Sequence, residues 1–304
     1  MHPAPSIIVF TVLSGLGLGM MTWVGLGLGP DDTGFGWLAS VLVMVVSGVG
    51  GLASTGHLAR PDRAWRAFSQ WRSSWLSREA CLMIVAMAVY GVYALIWLFG
   101  GERIDWLGWI AAALALATVY STAMIYAQLK TVPRWRHTPT TWLFLALSIS
   151  GGYMAIAGAV AAYGAAPDLP DIGPVIVAIG GVVGVIWHLN AASTGREAGG
   201  ATIGTATGLG RLGAVRLFEA PHSGSNYLLS EMAYQIGRKQ ARSLRIVAAL
   251  CGVILPLALG VLAAATSDLV LIAAVLAHLV GALAHRWLFF AEAEHVQALY
   301  YGRT

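Results

Sequence analysis

Long apolar runs alternate with polar breaks along the whole chain. Taken in order they predict spanning helices at about 6–28, 35–56, 80–100, 106–129, 140–165, 172–194, 245–266 and 268–290. Each run is near the ~20 residues that carry an α-helix across ~30 Å of hydrocarbon. The chain therefore reads as all-α, a polytopic membrane protein with eight transmembrane helices forming one integral membrane domain over 1–304. An even number of crossings returns both termini to the same side. Two connections are longer than the rest, 57–79 and 195–245, and both fall on the side of the termini.

Composition agrees with that pattern. With 58% hydrophobic and 11% charged residues, the chain carries far fewer charges than the ~25% of a water-soluble domain, so lipid has to be its solvent. Charge then gives the pattern a direction. Of the 18 Lys and Arg residues, five lie in 57–79, three in 130–139, seven in 195–245 and two at the C-terminal end; Arg103 alone sits opposite. Basic residues near helix ends are retained in the cytoplasm, which predicts cytoplasmic termini and cytoplasmic long connections. The acidic residues divide evenly, seven on each side. A basic excess confined to one membrane face argues against nucleic acid and points to anionic lipid headgroups and an acidic protein partner.

The first apolar run has no basic segment before it and no clear small-residue cleavage site, so it is expected to be a retained helix. Cys81 and Cys251 lie far apart with no metal-ligand spacing, and read as buried small side chains. The glycine-rich GLGRLG at 208–213 is preceded by no strand pattern, which removes the dinucleotide-binding reading. The spanning runs show no Asp, Glu, Lys or Arg between their ends, which disfavours an ion-coupled transporter. His188, His278 and His285 fall within runs, but no pair at matched depth is evident, so no haem is expected.

The connection 57–79, HLARPDRAWRAFSQWRSSWLSRE, is the richest stretch. Pro61 suits a first helical turn. Trp65, Phe68, Trp71 and Trp75 recur at spacings that place them on one face, with Arg63 and Arg66 on the other, the pattern of an amphipathic helix in the membrane interface. His57 closes the second helix and Glu79 opens the third, at the same boundary. A histidine and a carboxylate there make a pair able to move protons, as quinone reduction or quinol oxidation requires. Arg60 and Arg78 flank the pair and are expected to favour its ionised carboxylate. Small residues at 47–54 offer a gap for an isoprenoid tail. The connection 195–245 reads as an ordered loop and a helix from about 226 with a basic end. Together with Arg63, Arg66 and Arg72 of the first connection, its Arg211, Arg216, His222 and Tyr227 form the expected partner-docking set.

Three segments, HLARPDRAWRAF…SWLSRE in 57–79, TVPRW at 131–135 and TATGLGRLGAVRLFEAPHSGSNYLLSEM at 205–232, make the chain resemble the membrane-anchor subunits of the dimethyl sulfoxide reductase family of molybdopterin oxidoreductases. The resemblance implies a bacterial inner-membrane complex with a molybdopterin catalytic subunit and an iron–sulfur subunit. The anchor would exchange electrons with quinone, ubiquinone or menaquinone, and carry no haem, iron–sulfur cluster or molybdenum itself. In that family the histidine of the HL-x-x-P motif and the glutamate ending the same connection are associated with the quinone site; they match His57 and Glu79. The arginine-crowded connection places the docking face in the cytoplasm, which resembles the anchors of cytoplasmic sulfite-oxidising complexes. The alternatives are the anchor of a sulfoxide or other S- or N-oxide reductase that oxidises quinol, and a purely structural anchor.

Overall fold

The computed structural model describes residues 4–57, 60–165, 173–194, 202–219, 239–267 and 269–296. Eight helices among them are long and apolar enough to cross a membrane. They are α1 (Pro5–Gly25), α2 (Thr33–Ala53), α3 (Trp75–Gly100), α4 (Asp105–Ala127), α5 (Pro139–Tyr163), α6 (Gly173–Thr194), α7 (Ala241–Ala263) and α8 (Val270–Ala291). Their ends carry the expected signals: proline in the first turn of α1 and α5, Asp32 and Ser74 capping α2 and α3, and left-handed Gly101 and Gly164 stopping α3 and α5.

α1 runs through the middle of the bundle, packed on α2, α4 and α5. In lipid this closeness depends on small residues rather than on excluded water. A Cβ on Gly19 would lie 1.9 Å from the Ser148 carbonyl oxygen, and one on Gly152 would lie 2.1 Å from the Gly19 carbonyl carbon. The small residues at 47–54 serve the same purpose. Ser47 is fully buried beside Gly17, and a Cβ on Gly50 would meet the Ser14 backbone at 2.3 Å. Ser47 and Gly50 thus let α2 close on α1, while Val49 and Leu52 of the same run stay exposed.

α7 is not a uniform helix. A π-helical turn at Leu250–Ile254 separates its two α-helical parts. Pro256 has no N–H to give the Gly252 carbonyl four residues earlier. His278 of α8 fills the vacancy, its Nδ1 lying 2.9 Å from that oxygen. Because a carbonyl only accepts, Nδ1 carries the proton and Nε2 is left as an acceptor.

The two ends of the bundle differ. At the acidic end Arg103 pairs with Asp31, donates to the Gly29 carbonyl at 2.8 Å and lies over Trp97. The one basic residue on that side is thus a fastening for the loops. Beside it, bonds from the Tyr163 hydroxyl and the Phe35 N–H hold the Asp32 carboxyl below the usual carboxylate range. At the basic end, TVPRW fastens the α4–α5 connection to the end of α8. Trp135 is 3% exposed, stacks on Phe289 at 5.1 Å and donates to its carbonyl at 3.0 Å. Arg134 reaches the buried Glu292 at 3.2 Å, and Arg245 of α7 pairs with the same carboxylate.

Candidate functional site

α3 begins at Trp75, one turn earlier than the apolar run alone suggests, because Ser74 accepts from the Ser77 N–H and caps it there. The consequence is decisive for Glu79, which moves from the mouth of the helix to its second turn and is 7% exposed. Its Oε1 lies 2.6 Å from the Thr122 hydroxyl of α4, and that hydroxyl is also 3.1 Å from the Thr118 carbonyl. The arrangement serves both protonation states. An ionised Glu79 accepts from Thr122; a protonated Glu79 donates to Thr122, whose own proton turns to the Thr118 carbonyl. A buried group with a partner in either state is suited to taking up and releasing protons.

A second buried charge stands nearby. Arg286 of α8 is 4% exposed, its guanidinium 3.5 Å above the Phe144 ring. Tyr126, one turn beyond Thr122, lies within electrostatic range of both Glu79 and Arg286 and packs among Trp135, Phe144, Phe289 and Phe290. The expectation that spanning interiors hold no Asp, Glu, Lys or Arg is therefore corrected at two positions. Four apolar residues, Trp287–Phe290, follow Arg286 in the same run, and that was the available signal that it lies inside the helix. Thr122 gave no signal of its own among the many Thr and Ser residues of the spans.

The other residues of the expected site are distributed differently. His57 ends a short 3₁₀ segment, Ser54–His57, after α2; its side chain lies outside the described residues. Arg60 turns to Asp62 at 3.5 Å. Arg78 donates to the Trp71 and Arg72 carbonyls at 3.0 and 2.6 Å and lies over the Trp75 ring. Among the described residues neither guanidinium reaches the Glu79 carboxylate, so the role of holding it ionised is corrected: these arginines secure the connection, and Thr122 holds Glu79.

The connection itself is a 3₁₀ helix, Pro61–Gln70, and not an α-helix. With three residues per turn, Trp65 and Phe68 are eclipsed on one face and Trp71 follows in the next turn. All three are exposed, as are Arg63, Arg66 and Arg72. Arg66 and Arg72 lie over the Trp65 and Trp71 rings, so cations and rings interleave rather than divide into two faces. Trp75 leaves the stripe and packs edge-on against Tyr120. In the long connection, Thr202 and Thr205 form a reciprocal cap for the turn Ile203–Thr207, followed by left-handed Gly208. Arg211 and Arg216 are exposed there, with Leu212 86% and Phe218 100% exposed between and beyond them. His222 and Tyr227 lie outside the described residues.

The histidines also need a correction. His188 and His285 do meet at one depth on α6 and α8, their ring centroids 5.4 Å apart. Trp187 packs against both, at 5.1 and 5.9 Å. The rings touch edge to face, with the indole alongside, and leave no slot for a macrocycle between them. Among the described residues no group of three or more His, Cys, Asp and Glu side chains is placed to hold a metal ion, and Cys81 and Cys251 are free thiols.

Comparison with known proteins gives a consistent result. Residues 1–292 match the family described as DMSO reductase anchor subunit. The C subunit of the sulfite dehydrogenase of Allochromatium vinosum is 32% identical over 330 aligned positions, covering 99% of both proteins. The anaerobic dimethyl sulfoxide reductase protein YnfH of Escherichia coli is 28% identical over 50% of the present sequence and 56% of its own length. The C component of the anaerobic dimethyl sulfoxide reductase of Haemophilus influenzae is 27% identical over 36% of the present sequence and 40% of its own.

Proposed function

Since the chain belongs to the DMSO reductase anchor subunit family, we propose that it is the quinone-reactive anchor of a sulfite-oxidising molybdopterin complex. In this reading it passes electrons from an iron–sulfur subunit to ubiquinone or menaquinone. The observation that carries the quinone reading is Glu79, buried with Thr122 one turn inside the basic end. Quinone reduction takes up two electrons and two protons. Glu79 supplies a proton and is refilled from the same side, with His57 at the neighbouring helix end as the second proton-handling group. The headgroup sits at this end, and the tail lies in lipid. Electrons and protons then enter from one side, and the step moves no net charge across the membrane.

Sidedness and substrate rest on further support. Seventeen of 18 basic residues mark one face, and the positive-inside rule makes that face cytoplasmic. Exposed Leu212 and Phe218 among basic residues suit a protein partner rather than water, and the Trp–Arg stripe of 61–72 suits lipid headgroups beside it. The full-length likeness to a sulfite dehydrogenase subunit favours sulfite over sulfoxide chemistry. Iron–sulfur and molybdenum centres belong to the partners in this reading, and electrons pass to quinone without a haem in this chain, consistent with the closed packing of His188 on His285.

Two experiments test the reading. The purified complex should reduce quinone with sulfite faster than it reduces dimethyl sulfoxide with quinol; the reverse order would favour the reductase alternative. Cysteines placed singly at Ser69, Arg136 and Arg211 should label from the cytoplasm, and one at Asp105 from the other side. The opposite labelling would overturn the orientation and with it the preference for a cytoplasmic sulfite oxidase.

A further inference from the structure

Between α1, α4, α5 and α8 lies a cavity of about 40 Å³ whose lining is unusually polar for a membrane interior. Thr122 and Arg286 line it at the basic end, Thr11, Ser14 and Ser148 along its length, and His278 at its deep end. His278 is eight residues before Arg286, about 12 Å further into the bilayer at 1.5 Å per residue. The Arg286 Nη1 is buried and has no hydrogen-bond partner among the described residues. The His278 Nε2 is an acceptor, since Nδ1 gives its proton to Gly252. Thr11, Ser14 and Ser148 spend their protons on the Ile7, Phe10 and Gly15 carbonyls, which leaves their oxygens able to accept.

An unpartnered donor at one end and acceptors along the rest form a site for something that both donates and accepts. An anion would satisfy Arg286 but not the acceptors, and the volume is too small for a quinone ring. Water fits: one molecule needs roughly 10–15 Å³ of such space and about three polar partners. We propose that this cavity is an internal water-binding site, and that its waters link Thr122 and Arg286 to His278 as an internal chain that stores a proton for Glu79, the chain being filled, like Glu79 itself, from the basic end. In that exchange the Glu79 carboxyl gives its proton to the Thr122 oxygen as the Thr122 proton passes to the first water, each water hands one on, and the last gives its proton to the His278 Nε2. The reverse sequence restores the carboxyl with no bond to carbon changed. The consequence for turnover rests on the quinone reading above; the hydration of the cavity does not.

The test is X-ray radiolytic footprinting of the intact complex, in which bound water becomes hydroxyl radical and oxidises the side chains beside it. The cavity-lining Phe144, Leu147 and Leu279 should be oxidised, while Leu143 and Ile156, fully buried outside the cavity, should not. Gly15 lines the cavity and a Cβ there meets nothing within 4 Å, so Gly15→Leu adds bulk to the space from α1 while the Glu79 and Thr122 side chains keep their identity. It should bring oxidation of the three residues down to the level of Leu143 and slow quinone turnover several-fold. Lining residues as unreactive as Leu143 and Ile156 in the unmodified protein would overturn the proposal, whatever becomes of the variant. A hydrated cavity with unaltered turnover in Gly15→Leu would overturn the proton route. If Glu79→Gln also left turnover intact while the cavity proved wet, the failure would lie with the quinone reading.

Discussion

Glu79→Gln is expected to leave the complex assembled and to cut quinone-linked turnover by roughly 10²–10⁴-fold, the range associated with loss of a positioned acid or base. Glutamine keeps the shape and the bond with Thr122 but holds no exchangeable acid proton. Electron entry from substrate into the iron–sulfur partner should be unchanged, since it does not involve this end of the anchor. Thr122→Val should give a smaller loss, because it removes the partner that serves both protonation states while leaving the acid in place. Turnover with quinone, set against reduction of the partner's clusters by substrate, separates this account from a structural anchor: there both variants would turn over normally.

The second large effect concerns assembly rather than chemistry. Trp135→Ala removes a buried indole stacked on Phe289 together with its bond to the Phe289 carbonyl. Losses of this kind run to about 3–5 kcal/mol. Glu292→Ala leaves the mostly buried Arg134 without its carboxylate, and breaking such a pair costs about 3–5 kcal/mol. The share from Arg245 is small, since its side chain is 54% exposed and water screens the pair. Both variants should lower the thermal midpoint of the detergent-solubilised complex and reduce its recovery. In the proposed reading sulfite oxidation with an artificial acceptor belongs to the partners, and it should persist in whatever complex is recovered. A normal midpoint in Trp135→Ala would show that the TVPRW fastening contributes little.

The helices were legible because lipid imposes a simple rule: every crossing must be long and apolar, and each observed span lies within a few residues of its run. The resemblance to the anchor family was legible too, because its motifs sit in connections where residue identity is not dictated by lipid. What the runs did not disclose was depth at their edges. Glu79 was read at the mouth of α3 because hydropathy begins after it, whereas the cap at Ser74 starts the helix a turn earlier and buries the carboxylate. Arg286 falls with the C-terminal charges in the charge count although four apolar residues of its own run follow it. The pairing of His188 with His285, and of Trp135 and Glu292 with their partners, depends on which helices adjoin, and the period of a membrane helix that is apolar all round does not encode its neighbours.

The central claim is that quinone reacts at the basic end of this chain, beside Glu79 and Thr122. A photoreactive quinone illuminated in the intact complex tests it most directly, with native quinone as competitor and the label mapped by peptide mass. Competed label on the segments around Trp75–Met83 and Thr118–Tyr126 is the result this account predicts. Label confined to the iron–sulfur partner, or found on this chain only at the acidic end near Asp31 and Arg103, would contradict it.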